Sequence, residues 1–281
     1  MPTFDTPQPI TVELDLVVGD ARVIASDRTD TVVDVRPTDI GNPQDRKTAE
    51  QTTVEFTGGL LLVRAPKQRS LSLFNKVGSI DVRVEIPTGS ELRAKAAVAA
   101  VHCQGGLGRC RVKTSSGDVQ VEDSGPLEVE TSIGGVDIGH VTGDAEVNTG
   151  SGKVRIAEVD GSAVVKNSNG NCTIGRVAGD LRASTANGDV VVDQAGGDVH
   201  ANTANGEVRV GEVVRGSVSL KTALGAIDVG IRSGTAAQLD AHTSFGRVLN
   251  HLETVDGPGA AADTVHLTAR TSYGDIVIRR A

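Results

Sequence analysis

The chain has 281 residues, 34 of them glycine, with aromatics at only 2 %, no tryptophan and a formal net charge of −8. Glycine at that level exceeds the ~7 % of an average protein and a compact globule of this size uses more large rings in its core, while the acidic balance argues against a partner that is a phosphate backbone, which needs a basic footprint. No apolar run approaches the ~18 residues of a membrane helix, Met1-Pro2-Thr3-Phe4-Asp5 has neither the charged nor the apolar region of a signal peptide, and three cysteines make no disulfide framework, so a cytoplasmic location is expected.

From the N-terminus, Val12-Leu14-Leu16-Val18, Val23-Ala25, residues 32–35, Val54-Phe56 and residues 60–63 are alternating or apolar runs. Gly-Asp, Arg-Thr-Asp and Gly-Gly signals separate them, which predicts a β-meander. Asp39 to Gln51 reads as a polar loop with one helical turn. This segment, residues 1–78, is expected to cap the first strand edge of the C-terminal repeats, since uncapped edges invite aggregation. Residues 79–112 read as degenerate repeats, through Ile80 to Ile86, then Leu92, Ala94 and Ala96, then Val101-His102-Cys103 and Cys110-Arg111-Val112.

Beyond them one phrase recurs. Thr185-Ala186-Asn187-Gly188 returns as Thr203-Ala204-Asn205-Gly206, and the same glycine aligns at 117, 134, 152, 170, 188, 206, 225, 246 and 274. A threonine stands three residues before each, except for Asn167. A fixed period of this kind is the signature of a solenoid. After the glycine come alternating apolar residues, as in Val154/Ile156 and Val208/Val210, which is a strand with one buried face. A second glycine column at 143, 161, 179 and 197 marks a turn, and a second alternating run, as in Leu181-Ala183-Thr185, leads back to the corner. Each period is strand, turn, strand, turn. A period of 18 residues is too short for two hairpins with a crossover, and it matches one coil of a β-solenoid. The expected fold class is therefore all-β: a single-stranded β-solenoid (β-helix) with ~18-residue coils over residues 79–281, preceded by the meander cap.

Late in the chain the interval lengthens to 28 residues. The loops around residues 231–238 and 251–265 are expected to carry partner contacts, because loops on a rigid scaffold carry function. Deleting Leu252 to Ala262 should then weaken binding and spare the fold. Arg279 and Arg280 read as a charged guard on the last strand edge.

The candidates for chemistry reduce to structure. Asn169, Asn187 and Asn205 form an internal asparagine ladder whose amides bond one to the next. Asp189 and Glu207 are the only carboxylates on adjacent coils after the corner glycine, too few to share an ion. Cys103, Cys110 and Cys172 fall in core columns, and His102 beside Cys103 lacks the further ligands of a four-coordinate site. His140, His200, His242, His251 and His266 are scattered singly. Gly105-Gly106-Leu107-Gly108 sits in a turn and not before a helix, so it is no phosphate loop. Catalytic, cofactor-binding and metal residues are all read as none, and no cofactor is expected.

The N-terminal PITVELDLVVGDARVIASDRTDTVVDVRP, the repeated T-x-x-G-D-V-x-V strands, GDAEVNTGSGKVRI and the closing ARTSYGDIVIRR resemble the bacterial putative-adhesin family of strand-repeat domains, the toastrack type, in its actinobacterial form. The likeness runs over essentially the whole chain. It implies a β-solenoid used for interaction or scaffolding, in a family linked with cell-envelope stress and surface proteins, with no catalytic residues to carry over. The expected function is a non-enzymatic interaction module that binds a protein partner or itself as a homo-oligomer, without nucleic acid and without membrane insertion. The alternatives are a self-assembling cytoskeletal filament and a carbohydrate-binding or processing β-helix, for which Phe245 and Tyr273, two rings in one column, are the available platform.

Overall fold

The computed structural model describes residues 1–66, 78–253 and 263–281. These residues are mostly strand and form two compact units, Met1–Asp137 and Ile138–Ala281.

In the second unit each coil lays one strand in each of two parallel ladders. Ala145–Ser151, Ala163–Asn169, Leu181–Ser184, Val199–Asn202 and Gly216–Leu224 pair in that order along one ladder. Val154–Val159, Cys172–Val177, Val190–Ala195, Val208–Val213 and Ile227–Ile231 pair along the other. This is the single-stranded β-solenoid that the period predicts. Equivalent residues stack, so Val154, Cys172, Val190, Val208 and Ile227 form one apolar column, none more than 1 % exposed. Small and β-branched side chains suffice because each coil is narrow and buries only one face of each strand.

The recurring phrase is explained at the corner. Gly188 has φ +138°, a conformation that side-chain-bearing residues avoid, and a Cβ there would lie 2.3 Å from the carbonyl oxygen of Gly170 in the coil beneath. The threonine three residues earlier ties the coils together. Thr203 donates its hydroxyl to the Gly188 carbonyl at 2.9 Å and Thr222 to the Gly206 carbonyl at 2.9 Å, while Asn167 substitutes its amide, 2.9 Å from the Gly152 carbonyl. At the opposite turn Asp180 accepts the Asp198 N–H at 2.9 Å and Asp198 the Ser217 N–H at 2.8 Å.

Stacking order departs from chain order at the C-terminus. Gly216–Leu224 pairs not with the strand of the next coil in sequence, Ala236–Phe245, but with Thr264–Tyr273, which pairs with Ala236–Phe245 on its other side. The second ladder does the same, with Ile276–Arg280 between Ile227–Ile231 and Val248–Asn250. The corner threonines obey the same order, Thr271 donating to Gly225 at 3.0 Å and Thr243 to Gly274 at 2.9 Å. An inner coil buries apolar surface against two neighbours and an outer one against a single neighbour. The more apolar coil therefore takes the inner place: Val265, Leu267, Ile276 and Ile278 are all 1 % exposed or less.

The first unit repeats this reversal. Thr11–Ser26 turns at Gly19, φ +145°, and forms a whole parallel coil of its own. On one side it pairs with Glu91–Leu107, and on the other with Leu60–Arg64 and Ile80–Pro87. The strand Glu91–Leu107 then pairs with Cys110–Ser116 and Val119–Ser124, and Leu127–Ile133 with Cys110–Ser116. The antiparallel part of the meander is Thr53–Thr57 on Leu60–Arg64, Asp30–Pro37 on Ile80–Pro87 and Thr3–Asp5 on Asp30–Pro37. In place of a loop with one helical turn there is a helix, Pro43–Gln51. It is started by Asn42, whose side chain accepts the Gln44 N–H, and by proline in its first turn, both favoured there.

Candidate functional site

The coil formed by Ala236–Phe245 and Val248–Asn250 is the outermost of its unit, and among the described residues its strands pair on one side only. Ala236 donates its N–H to the Asp263 carbonyl at 3.0 Å. Backbone groups alternate along a strand, so those of residues 236, 238, 240 and 242 point to the neighbour Thr264–Tyr273 and those of Ala237, Leu239, Ala241 and Thr243 point away from it. The edge strand, AAQLDAHTSF, has no proline, lysine or arginine, the residues that most often blunt a strand edge.

Its solvent face is held in place by the neighbouring coil. Asp240 accepts from Arg270 at 2.9 Å, and Gln238 lies 3.1 Å from His266. At the corner the strand ends in Phe245, stacked on Tyr273 with ring centroids 4.7 Å apart and planes 8° from parallel. Leu224 is next in the column. The three are 64 %, 53 % and 51 % exposed respectively. One face of Phe245 is covered by Tyr273, and among the described residues no coil lies beyond the other. Val248 and Leu249, exposed by 43 % and 36 %, extend this apolar surface.

The column continues inward as Asn205, Asn187 and Asn169, whose side-chain amides bond one to the next at 2.8 Å. The ladder was expected inside the coil; it lies on the exposed corner, because the residue before the corner glycine points outward. The Asp189 carboxylate is engaged by the Glu207 N–H at 2.9 Å, a capping role. The Cys103 thiol is pushed up by its contact with the Cys110 thiol and by burial, and Cys172 by burial, which keeps these buried sulfurs protonated and unreactive. Cys103 is in register with Val121 and Cys110 with Leu127, the core columns read from the sequence.

Of the two loops expected to carry contacts, residues 231–235 form a tight turn. Thr235, 3 % exposed, donates to the Val214 carbonyl at 3.0 Å, and Arg280 donates to the carbonyls of Arg232 and Thr235 at 3.1 and 2.9 Å. In the other loop residues 254–262, and with them most of the Leu252 to Ala262 deletion, lie outside the described residues. Arg279 and Arg280 do not guard the edge, because their strand is in the inner coil, where Arg279 bonds Asp228 at 3.1 Å. One cluster was not anticipated: His140, Glu158 and Asp160 place ligand atoms within 4.8 Å of one another. Coil stacking assembles it from residues about one period apart, and Arg176 already contacts both carboxylates.

The sequence model of the Toastrack DUF4097 family matches residues 13–279. Among solved structures, one described as a putative adhesin from Bacteroides fragilis NCTC 9343 is 13 % identical over 99 % of this chain and 95 % of that chain, with a TM-score of 0.41. One from Parabacteroides merdae ATCC 43184, described likewise, is 14 % identical over 82 % of this chain and 91 % of that chain, at 0.38. No curated protein matches the chain. Among the described residues no helix is long and apolar enough to cross a membrane.

Proposed function

The chain belongs to the Toastrack DUF4097 family, and from that premise we propose that it is a non-catalytic interaction module whose open coil edge takes up an extended protein segment. One observation carries the reading: a ten-residue edge strand, Ala236–Phe245, turns a row of backbone donors and acceptors away from its neighbour and ends at an exposed aromatic face. Strand addition to such an edge supplies affinity through the main chain, and pockets for alternate side chains supply specificity. Phe245 and Tyr273 stack on each other rather than side by side, a smaller platform than a sugar chain uses.

The test is site-specific photo-crosslinking in cells of the source organism, with a benzophenone side chain at position 245 and, as control, at the exposed mid-stack position of Arg182. A protein adduct from position 245 that position 182 does not give is the expected result. Absence of any adduct from 245 removes the proposal.

A further inference from the structure

We propose that the occupant of this edge is a second copy of the chain, with the two Ala236–Phe245 strands paired antiparallel about a two-fold axis at Ala241. This rests on the interaction reading above and gives that site its partner.

Antiparallel pairing joins residues whose numbers sum to a constant. Centring on Ala241 sets Ala241 against its own counterpart and Leu239 against Thr243 of the other copy. These are the residues whose backbone groups point off the edge, so each facing pair exchanges both of its N–H···O bonds. Their side chains lie on the inner face in both copies, so the apolar interior runs on across the junction. On the outer face the same register puts Asp240 against His242 of the other copy, and His242 against Asp240, two unlike pairs related by symmetry. Moving the axis to Asp240 would set two aspartates directly opposite, which is destabilising. The interface is isologous and closes on itself.

Sedimentation velocity on the full chain over a hundredfold concentration range at physiological salt should show a monomer passing to a dimer and no larger species. Asp240→His and His242→Asp, each of which sets like residues opposite, should weaken dimerisation by about tenfold through the two symmetric pairs. The double exchange D240H/H242D restores unlike pairs and should return the dimer to within about threefold of the original, a rescue that only a two-fold self-interface predicts. Ala241→Pro places proline where the N–H points off the edge, a position an edge strand tolerates, and should leave a monomer with unchanged circular dichroism. A chain that stays monomeric throughout, grows without limit, or dimerises equally well as A241P overturns the inference, and so does a double exchange that is no better than the single ones. If the position 245 crosslink then yields adducts only with other proteins, the interaction reading stands without this partner; an adduct of twice the chain mass supports both.

Discussion

The outermost coil of the N-terminal unit and that of the C-terminal unit face the same difficulty with opposite results. Each has a neighbour on one side only along its parallel ladders. At the N-terminal coil, Leu60–Arg64 and Ile80–Pro87 are covered by antiparallel strands, the last of which, Thr3–Asp5, is only three residues long. Leu61, Val63, Val82 and Val84 are accordingly 2 % exposed or less. Phe4 and Phe56, on two of the covering strands, meet with ring centroids 5.2 Å apart, and Arg28 ties the covering strand Asp30–Pro37 to Ile80–Pro87 by pairing with Asp30 and Glu85. At the C-terminal coil nothing among the described residues does this, and Leu239 is half-buried. An apolar alternating strand is therefore not a core strand by virtue of its pattern. It becomes one when a neighbour covers its second edge.

The contrast between the two coils is most exposed to disproof at the N-terminal corner. A Cβ on Gly19 would lie 1.8 Å from the Ile80 carbonyl oxygen, at φ +145°, so Gly19→Val should cost about 4 kcal/mol through backbone strain and overpacking. The expected result is loss of the covered coil, read as a large fall in the urea midpoint. A smaller effect separates two leucines. Leu61→Ala should cost about 3 kcal/mol and Leu239→Ala under about 1 kcal/mol, measured by urea denaturation. Equal costs would mean that the C-terminal coil is covered after all.

Hydrogen exchange comes next in size. In dilute protein the amides of Leu239 and Ala241 should exchange much faster than those of Val82 and Val84, and should slow as concentration rises. The smallest effect is electrostatic. Hydrogen bonds from Arg28 hold the Asp30 and Glu85 carboxyls below the usual carboxylate range. A depressed folded pKa contributes stability that is complete above the unfolded value near ~4 and is lost as pH falls through the folded value. Comparing urea midpoints at pH 7 and pH 3 should show a slightly greater acid loss in the native chain than in Arg28→Ala, whose pairs are already absent.

Much of the fold is legible in the residues because the period repeats the same local physics. The threonine and glycine of each corner, Thr203 and Gly206 for example, are recognisable as a structural pair from spacing alone, since every coil needs the same backbone angles at its corner. The buried columns of Val154, Cys172 and Val190 came from alternation. The candidate site was less legible. Phe245 and Tyr273 were visible as one column, but Asn187 was placed inside the coil when it lies outside. Arg279 and Arg280, near the end of the last strand, read from the sequence as edge guards. The edge-guard reading fails on one premise, that coils stack in the order in which they are made.

Sequence alone settled the coil: its period, its two strands and turns, the inward columns and the corner chemistry, all of which are local and repeat wherever the phrase recurs. Tertiary structure alone settled which coil lies outermost. Thr264–Tyr273 and Ala236–Phe245 carry the same alternation, which does not by itself order them in the stack. The choice rests on how much apolar surface is buried when one of them takes two neighbours and the other only one, a sum over contacts distant in sequence that no local period records.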